Sequence, residues 1–427
     1  MADPSQFDTG VQFAELTDIG MRRTNNQDSI VCVPARSPAA VRSRGHLFVV
    51  ADGMGAHAAG ELASRIATAQ IAQHYVQLSD SHSIASAVHG SMAQANLDIY
   101  NRGQSNPEFL NMGTTACALV LSPRGAIVGH VGDSRVYRLR DQTLEQLTFD
   151  HSLVWELEAS GQVTGAGAAN IPKNVITRSL GPQSDVQIDI EGPLDVLPGD
   201  RFLLCSDGLT GPVTDEEIAV LLHTLDADLA TRVLVDLANL RGGPDNISVV
   251  VVHVQPGFAE HVCETASDRS MGSPRRWLFA AAAALFAAAV VSWWFAPIEI
   301  VAGLFVLAIV AATAGAVLPA DAKAVDHDAR PAGGGGGEAP YRRYPVRATA
   351  SMVQSLGKTI DQLCEAATGR GWSLNQTDIQ TLRKDCRAAV GRSDWQRAIE
   401  LQAEAILETM NQLRRQNDAA AAETAAR

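Results

Sequence analysis

Two periodicities alternate through the first 256 residues. Segments 47–51, 115–121, 126–131, 135–139, 201–205 and 248–254 are short, rich in β-branched residues and bounded by Gly, Asp, Ser or Pro. That pattern predicts strands. Segments 60–75, 83–100, 153–159, 215–222 and 229–240 repeat apolar residues at helical spacing and predict helices. Thr214 stands ahead of Asp215, Glu216 and Glu217, a cap followed by acids in the first turn. The strands between 115 and 139 come in adjacent pairs rather than one per helix. The expected fold class is therefore α+β, with antiparallel sheets and helices laid outside them, rather than a doubly wound parallel sheet.

The pattern changes at 277. Residues 277–296 are apolar with Ser292 as the only hydroxyl, and a second apolar run covers 300–318. Each is about 30 Å long as a helix, the thickness of a bilayer core. Pro297 and Glu299 lie between them, so the pair should form a tight hairpin. Trp277, Trp293 and Trp294 sit near the ends of the first run, where interfacial aromatics belong. Arg269, Arg275 and Arg276 precede the hairpin, Lys323 and Arg330 follow it, and the short connection has neither Lys nor Arg. The positive-inside rule then expects a two-pass anchor in the cell membrane with both termini cytoplasmic. The alternative is a buried Ala-rich helical hairpin in a soluble protein.

The hairpin divides the rest. Residues 1–256 read as one globular unit, 257–274 as a polar tether and 275–318 as the transmembrane helical hairpin. Residues 319–345, with five successive glycines at 333–337, read as a flexible linker. From 346 to 427 three helices are expected, an all-α bundle and interaction module. Met352, Leu356, Ile360, Leu363 and Ala367 recur at helical spacing, as do Ile379, Leu382, Cys386 and Val390, and then Trp395, Ile399, Ala403, Ile406, Met410 and Leu413. Ser393 with Gln396 has the spacing of a capping box for the third helix. The stripes suit the core of a three-helix bundle; self-association, or docking of a partner helix, is the other use. The Ala-rich tail from Asp418 is expected to fray.

Composition sharpens this division. The 427 residues suggest two or three domains. The net charge of −13 argues against a nucleic-acid binder, which needs a basic surface. Residues 1–274 carry 17 Lys and Arg against 32 Asp and Glu, whereas residues 341–427 carry 13 against 10. The mean hydropathy of +0.01 is high for so acidic a chain because the hairpin offsets the polar parts. Cys32, Cys117, Cys205, Cys263, Cys364 and Cys386 are far apart and form no CxxC pair, so they read as reduced thiols. The polar start of the chain has no basic and apolar stretch of the secretory kind, and no cleavable signal peptide is expected.

Several Asp residues follow or flank apolar strands near a Gly or Asn: Asp28 after Asn25-Asn26-Gln27, Asp52 before Gly53, Asp133 after Gly132, Asp207 before Gly208, and Asp245 before Asn246. One such pair is an ordinary turn. Several in one domain suggest carboxylates gathered at a sheet edge, where their repulsion calls for a divalent cation. Oxygen donors without clustered His or Cys favour Mg²⁺ or Mn²⁺ over zinc.

These motifs resemble, in order and wording, the metal-dependent protein Ser/Thr phosphatases of type 2C in their bacterial, membrane-anchored form. The resemblance covers about residues 11–254. It runs through Asp18, Gly20, Arg23 and Asp28; Asp52 to Gly55 with Gly60 and Glu61; Gly113 to Ala116; Gly132 to Arg135; Thr148 to Leu153; Thr177 to Gly181; Ser206 to Leu209; and Asp245 to Ser248. It implies a four-layer α-β-β-α sandwich with a two-metal centre, so that 1–256 would be a catalytic domain. By this resemblance Asp52 would bridge two Mg²⁺ or Mn²⁺ ions and the Gly53 carbonyl would complete one of them. Asp207 and Asp245 would hold the other, and Asp133 with Asp207 would take a third, weaker ion. Asp28 would orient water, and Arg23 would grip the substrate phosphate, where a guanidinium fork fits. Residues 155–178 resemble the flap beside the site.

The implied activity is single-step hydrolysis of phosphoserine and phosphothreonine on proteins by a metal-bridging water, with no phosphoenzyme. A Ser/Thr protein kinase of the same signalling system is the expected partner, and nucleic acid is not. Cys205 ends an apolar strand and reads as a core thiol, not a nucleophile. Gln27 stands where many relatives have Glu, Met54 where animal relatives have His, and Ala56 where Gly is frequent. His57 and His151 are candidates for proton transfer, with a structural role as the alternative for each. The rival reading is a catalytically weak phosphoprotein-binding membrane scaffold whose C-terminal module carries the main function.

Overall fold

The structure is a computed structural model. It describes residues 10–55, 58–79, 81–163, 167, 171–172, 175–258, 274–295, 297–317, 336–369, 372 and 374–425. His57, Cys263, most of the tether and residues 318–335 of the expected linker lie outside the described residues.

Two antiparallel sheets face each other. The first runs in the order β1 (Val11–Asp18), β11 (Ile247–Val254), β10 (Arg201–Cys205), β7 (Arg135–Arg140), β8 (Thr143–Gln146) and β12 (Arg342–Pro345). The second runs β2 (Asp28–Val33), β3 (His46–Met54), β5 (Ala116–Ser122), β6 (Gly125–Val131) and β9 (Asp189–Leu194), with β4 (Gly113–Thr114) beside β3. Alternation along each strand separates two faces. Phe48, Val50, Leu119, Val128, Phe202, Leu204, Val250 and Val252 point between the sheets and form a core there. The opposite face of the second sheet packs on α2 (Ala59–Leu78) and α3 (Ile84–Ser105). The opposite face of the first packs on α6 (Asp215–Thr224) and α7 (Ala227–Leu240). This is the expected layered sandwich of two antiparallel sheets between helices. Thr214 caps α6 in a full capping box with Glu217.

The strands β1, β2, β8 and β9 go beyond the sequence expectation. β2, β8 and β9 are short, and β1 and β9 carry acidic residues, which masks their alternation. Pairing supplies what the pattern lacks: β1 is in register with β11 over its whole length, Val11 against Val254 through Asp18 against Ile247.

The segment after the hairpin is joined to the sandwich. Three helices are present, Ala350–Gly369, Gln376–Gly391 and Trp395–Ala425. They pack on one another, Ala350–Gly369 and Gln376–Gly391 each against Trp395–Ala425, and their apolar cluster runs on into α6 and α7. The helix α7 explains this: Val233, Leu234, Val235, Leu237 and Ala238 are all buried. Its second half is apolar on both sides and must be covered on both. One side meets β1 and β11, and the other meets the helix Trp395–Ala425. Leu356, Ile360, Ile399 and Ile406 have no exposed surface. Each contributes about 1.5–3 kcal/mol of burial. Asp236 of α7 is fully buried in this interface and paired with Arg414.

Two smaller expectations are corrected. The third helix is capped by Asp394, whose side chain accepts the Arg397 N–H at 3.1 Å. Ser393 instead turns the chain at φ +58° and cannot cap. The Ala-rich tail continues the helix to Ala425, as the high helix propensity of Ala allows. The linker reading also ends early, because residues from Gly336 onward are seated on the sandwich.

Pro274–Ser292 and Ile298–Val317 lie side by side, with the rings of Phe286 and Phe305 edge to face at 5.4 Å. Phe286, Val290, Trp293, Trp294, Ile300, Val306 and Ile309 are exposed. Among the described residues no helix is long and apolar enough to cross a membrane.

The Arg414–Asp236 pair yields a test. Burial pushes the Asp236 carboxyl up to about 6, against the pull of Arg414. Above that pH a lone carboxylate would be stranded in the interface, whereas below it the group is neutral. Arg414→Ala is expected to cost about 1–3 kcal/mol at pH 7.5 in thermal melts and less at pH 5. A loss that is the same at both pH values would show that Asp236 charge is not what Arg414 answers.

Candidate metal centre

The acidic residues meet where the two sheets share an end. Asp28 opens β2 and is the register partner of Asp52 in β3, which places two carboxylates side by side. The first sheet brings in Asp133, just before β7, and Asp207, just after β10. It also supplies Asp245, in the turn before β11. Asp28 and Asp133 are buried; Asp52, Asp207 and Asp245 are half-buried.

Neighbouring hydroxyls and amides fix this edge. The Ser206 hydroxyl donates to Asp28 Oδ2 at 2.7 Å, and Ser206 Oγ accepts the Ser248 N–H at 3.0 Å. Thr115 Oγ1 accepts the Asp52 N–H at 3.0 Å and meets the Ser134 hydroxyl at 2.7 Å. The Asn246 amide ties the loop before β2 to the turn before β11: its Oδ1 accepts the Gln27 N–H at 2.9 Å, and its Nδ2 donates to the carbonyls of Ile19 and Asn25 at 2.8 and 3.0 Å. Gly53 is required by crowding, since a Cβ there would lie 2.1 Å from the Gly60 carbonyl oxygen. The sequence reading gave Ser206, Thr115, Ser134 and Asn246 no role. Their only signal was adjacency to the Asp motifs.

The carboxylates are electrostatically frustrated. Burial first, then the neighbouring carboxylates, hold Asp52 well above the ordinary range. Asp207 is raised by burial and by Asp245. Burial raises Asp28 to about 7, opposed by the Ser206 and Ser248 hydrogen bonds, and raises Asp133 to about 8, with Asp207 adding to it. Asp28 Oδ1, Asp133 Oδ1 and Asp207 Oδ1 are buried and accept no hydrogen bond. Orphaned buried carboxylate oxygens facing like charges have the chemistry of a hard-cation site. Among the described residues no three His, Cys, Asp or Glu side chains already stand close enough together to hold an ion, so a cation would have to draw the carboxylates inward. The donor set, oxygen only, fits Mg²⁺ or Mn²⁺.

Arg23 sits at the mouth, 48% exposed, and its Nη2 donates to Asp245 Oδ2 at 2.6 Å. Here the guanidinium serves as counter-ion to one of the predicted ligands. The Gln27 amide donates to the Gly55 carbonyl at 3.5 Å rather than adding to the acidic group. His151 is fully buried; its Nδ1 accepts the Gly132 N–H at 3.0 Å and its Nε2 lies 3.1 Å from Asp189, a structural clamp on the turn before Asp133. Cys205 is fully buried, and burial pushes its thiol far up, which disqualifies it as a nucleophile.

The family described as Protein phosphatase 2C matches residues 21–236. A putative 2C-type protein phosphatase of Streptococcus pyogenes is 39% identical over 241 residues, which cover 56% of this chain and 95% of that protein. Protein phosphatase PhpP of Streptococcus pneumoniae is 37% identical over 255 residues, 58% of this chain and 100% of that protein. Among solved structures, the serine/threonine phosphatase of S. agalactiae aligns with a TM-score of 0.51 at 37% identity, covering 57% of this chain and 100% of that one.

The crowding of carboxylates has a pH signature. Folded-state carboxyls raised from 3.8 towards about 7 and 8 hold protons that the unfolded chain has released, so cation-free stability should fall as pH rises across that window. At pH 8, with chelator present, Asp207→Asn is expected to stabilise the protein by about 1–3 kcal/mol in thermal melts. Mn²⁺ should raise the melting temperature of the wild type but much less that of the variant. A destabilised variant at pH 8 would contradict the account.

Proposed function

Because the chain belongs to the protein phosphatase 2C family, we propose that its acidic edge hydrolyses phosphoserine and phosphothreonine on proteins with Mg²⁺ or Mn²⁺ as cofactor. The observation that carries this is the gathering of Asp28, Asp52, Asp133 and Asp207 around three orphaned carboxylate oxygens. A scaffold that only bound phosphoproteins would have no use for that strain, so the enzyme reading is favoured.

Asp52, the Gly53 carbonyl, Asp207 and Asp245 are the groups we assign to two ions, with Asp133 and Asp207 for a third. Bound divalent ions supply a lowered water pKa and neutralise phosphoryl charge. The remaining work falls to side chains. Arg23 leaves Asp245 to engage the phosphate, exchanging one charge-assisted contact for a bidentate one. Asp28, held on one oxygen by Ser206 and bare on the other, can orient a water and take its proton. The exposed mouth at Arg23 admits a residue on a protein surface. A Ser/Thr kinase acting on the same proteins is the counterpart this reaction calls for.

We place the hairpin at 277–318 in a membrane, with both flanks cytoplasmic. Support comes from the two uncharged apolar runs, the basic flanks, and the exposure of Phe286, Trp293, Trp294 and Ile309. Self-association through the C-terminal helices would have to use their outer faces, since their apolar stripes pack on one another and on α6 and α7.

The test uses the full chain in detergent, because cutting after 256 would bare the far side of α7. Hydrolysis of a phosphothreonine peptide should require Mn²⁺ or Mg²⁺. Asp207→Asn should lower kcat/KM by at least about 100-fold, and Arg23→Ala should raise KM by about tenfold. Turnover that ignores divalent cations would overturn the assignment. For the anchor, a tag at either terminus should resist protease added outside intact cells; cleavage of either would refute the topology.

A further inference from the structure

Glu191, in β9 at the edge of the second sheet, is 1% exposed. Its carboxylate is enclosed by the segment that follows the hairpin. Oε2 accepts the N–H groups of Gly337 and Ala339 at 2.7 and 3.1 Å, and Oε1 accepts the Tyr341 hydroxyl at 2.6 Å. Gly336 passes so close, at φ +83°, that a Cβ would lie 2.4 Å from Oε1. A buried carboxylate is costly without donors. All three donors here come from this one segment, which makes it an integral part of the fold.

The same segment then crosses to the other sheet. The strand β12 pairs with β8 in register from Arg342 against Gln146 to Pro345 against Thr143. Arg343 joins Arg138 on Glu145, at 3.1 and 2.5 Å. Arg342 turns onto α4 (Leu153–Ala159). Its guanidinium carbon lies 3.8 Å from the Trp155 ring centroid, and it pairs with Glu158 at 2.9 Å. Arg135 approaches the same ring at 5.8 Å and chelates Asp150 through Nε and Nη2 at 2.7–3.0 Å. Arg135 is two residues from Asp133, and Ser134 between them reaches Asp52 through Thr115. The far side of α4 is tied to the chain that runs past the site: Thr177 donates to Glu156 at 2.6 Å, and Leu180 pairs with Thr114 beside Gly53.

We propose that residues 336–345 are an in-chain strap that fixes α4 as a wall of the catalytic cleft, with Arg342 as the positioning residue that adapts the cleft to a protein substrate. A phosphorylated protein must pass along that wall, whereas a small aryl phosphate reaches the acidic cluster without touching it. The strap lies beyond the hairpin, so the C-terminal region completes the wall. The cleft half of the proposal rests on the phosphatase reading; the strap itself does not.

The test compares full-chain wild type, Arg342→Ala, Arg342→Lys and Tyr341→Phe. In Arg342→Ala, hydrogen exchange across 153–159 should speed up by about tenfold. The KM for a phosphothreonine peptide should rise by about fivefold while turnover of p-nitrophenyl phosphate stays within about twofold. Lys should restore the Glu158 pair but not the stacking, and so rescue only in part. Tyr341→Phe should move exchange and KM in the same direction. Unchanged exchange in Arg342→Ala would overturn the strap. Equal losses on both substrates would overturn its role in substrate choice. A wild type that hydrolyses neither substrate would sink the phosphatase reading, and exchange would still decide the strap.

Discussion

Repulsion among carboxylates is the constraint around which this molecule is organised. Asp28, Asp52, Asp133 and Asp207 share one end of the sandwich, each held above its ordinary range by burial and by its neighbours. Left alone, such a group would spread or take up protons. Strand pairing and donors such as Ser206, on Asp28, keep it together, while one oxygen each of Asp28, Asp133 and Asp207 stays free. The free oxygens are what a divalent cation needs, so the unfavourable term of the cation-free fold becomes the binding energy of the loaded one. Activity and electrostatic strain have the same source.

The rest of the fold serves that edge. Antiparallel pairing sets Asp28 opposite Asp52 in one sheet, and the other sheet contributes the remaining acids. The inter-sheet core of Phe48, Leu119, Phe202 and Val250 holds the sheets at a fixed separation. Close packing makes that separation stiff. Outside, α7 is buried on both sides, and the C-terminal helices cover its outer face. The basic surplus of residues 341–427 finds its purpose there: Arg342, Arg343 and Arg414 each answer a carboxylate on the acidic catalytic unit.

Much of this was legible in the residues. The paired strands at 115–139, the capped helix at Thr214 and the Asp-Gly turns announced antiparallel sheets with acids at their ends. The order of the motifs led to the family. Strands such as β1 and β9 were not legible, because acidic positions interrupt their alternation and only partners in register reveal them. Asp394 displaced Ser393 as a cap because the turn put Ser393 at a left-handed φ, which spacing alone does not encode.

The sequence by itself determined which chemistry is available: oxygen donors without clustered His or Cys, one arginine near them, a buried thiol that takes no part, and an apolar hairpin dividing acidic from basic regions. Those follow from residue type and local periodicity. Tertiary structure decided what meets what. It turned Gly336 and Gly337 into part of a seat for Glu191, joined Arg414 to Asp236 across 178 positions, and carried the apolar cluster of the last helices on to α7. Contacts between distant segments depend on shape complementarity and on the cost of burying unpaired charge. Neither has a period or a spacing that can be read along the chain.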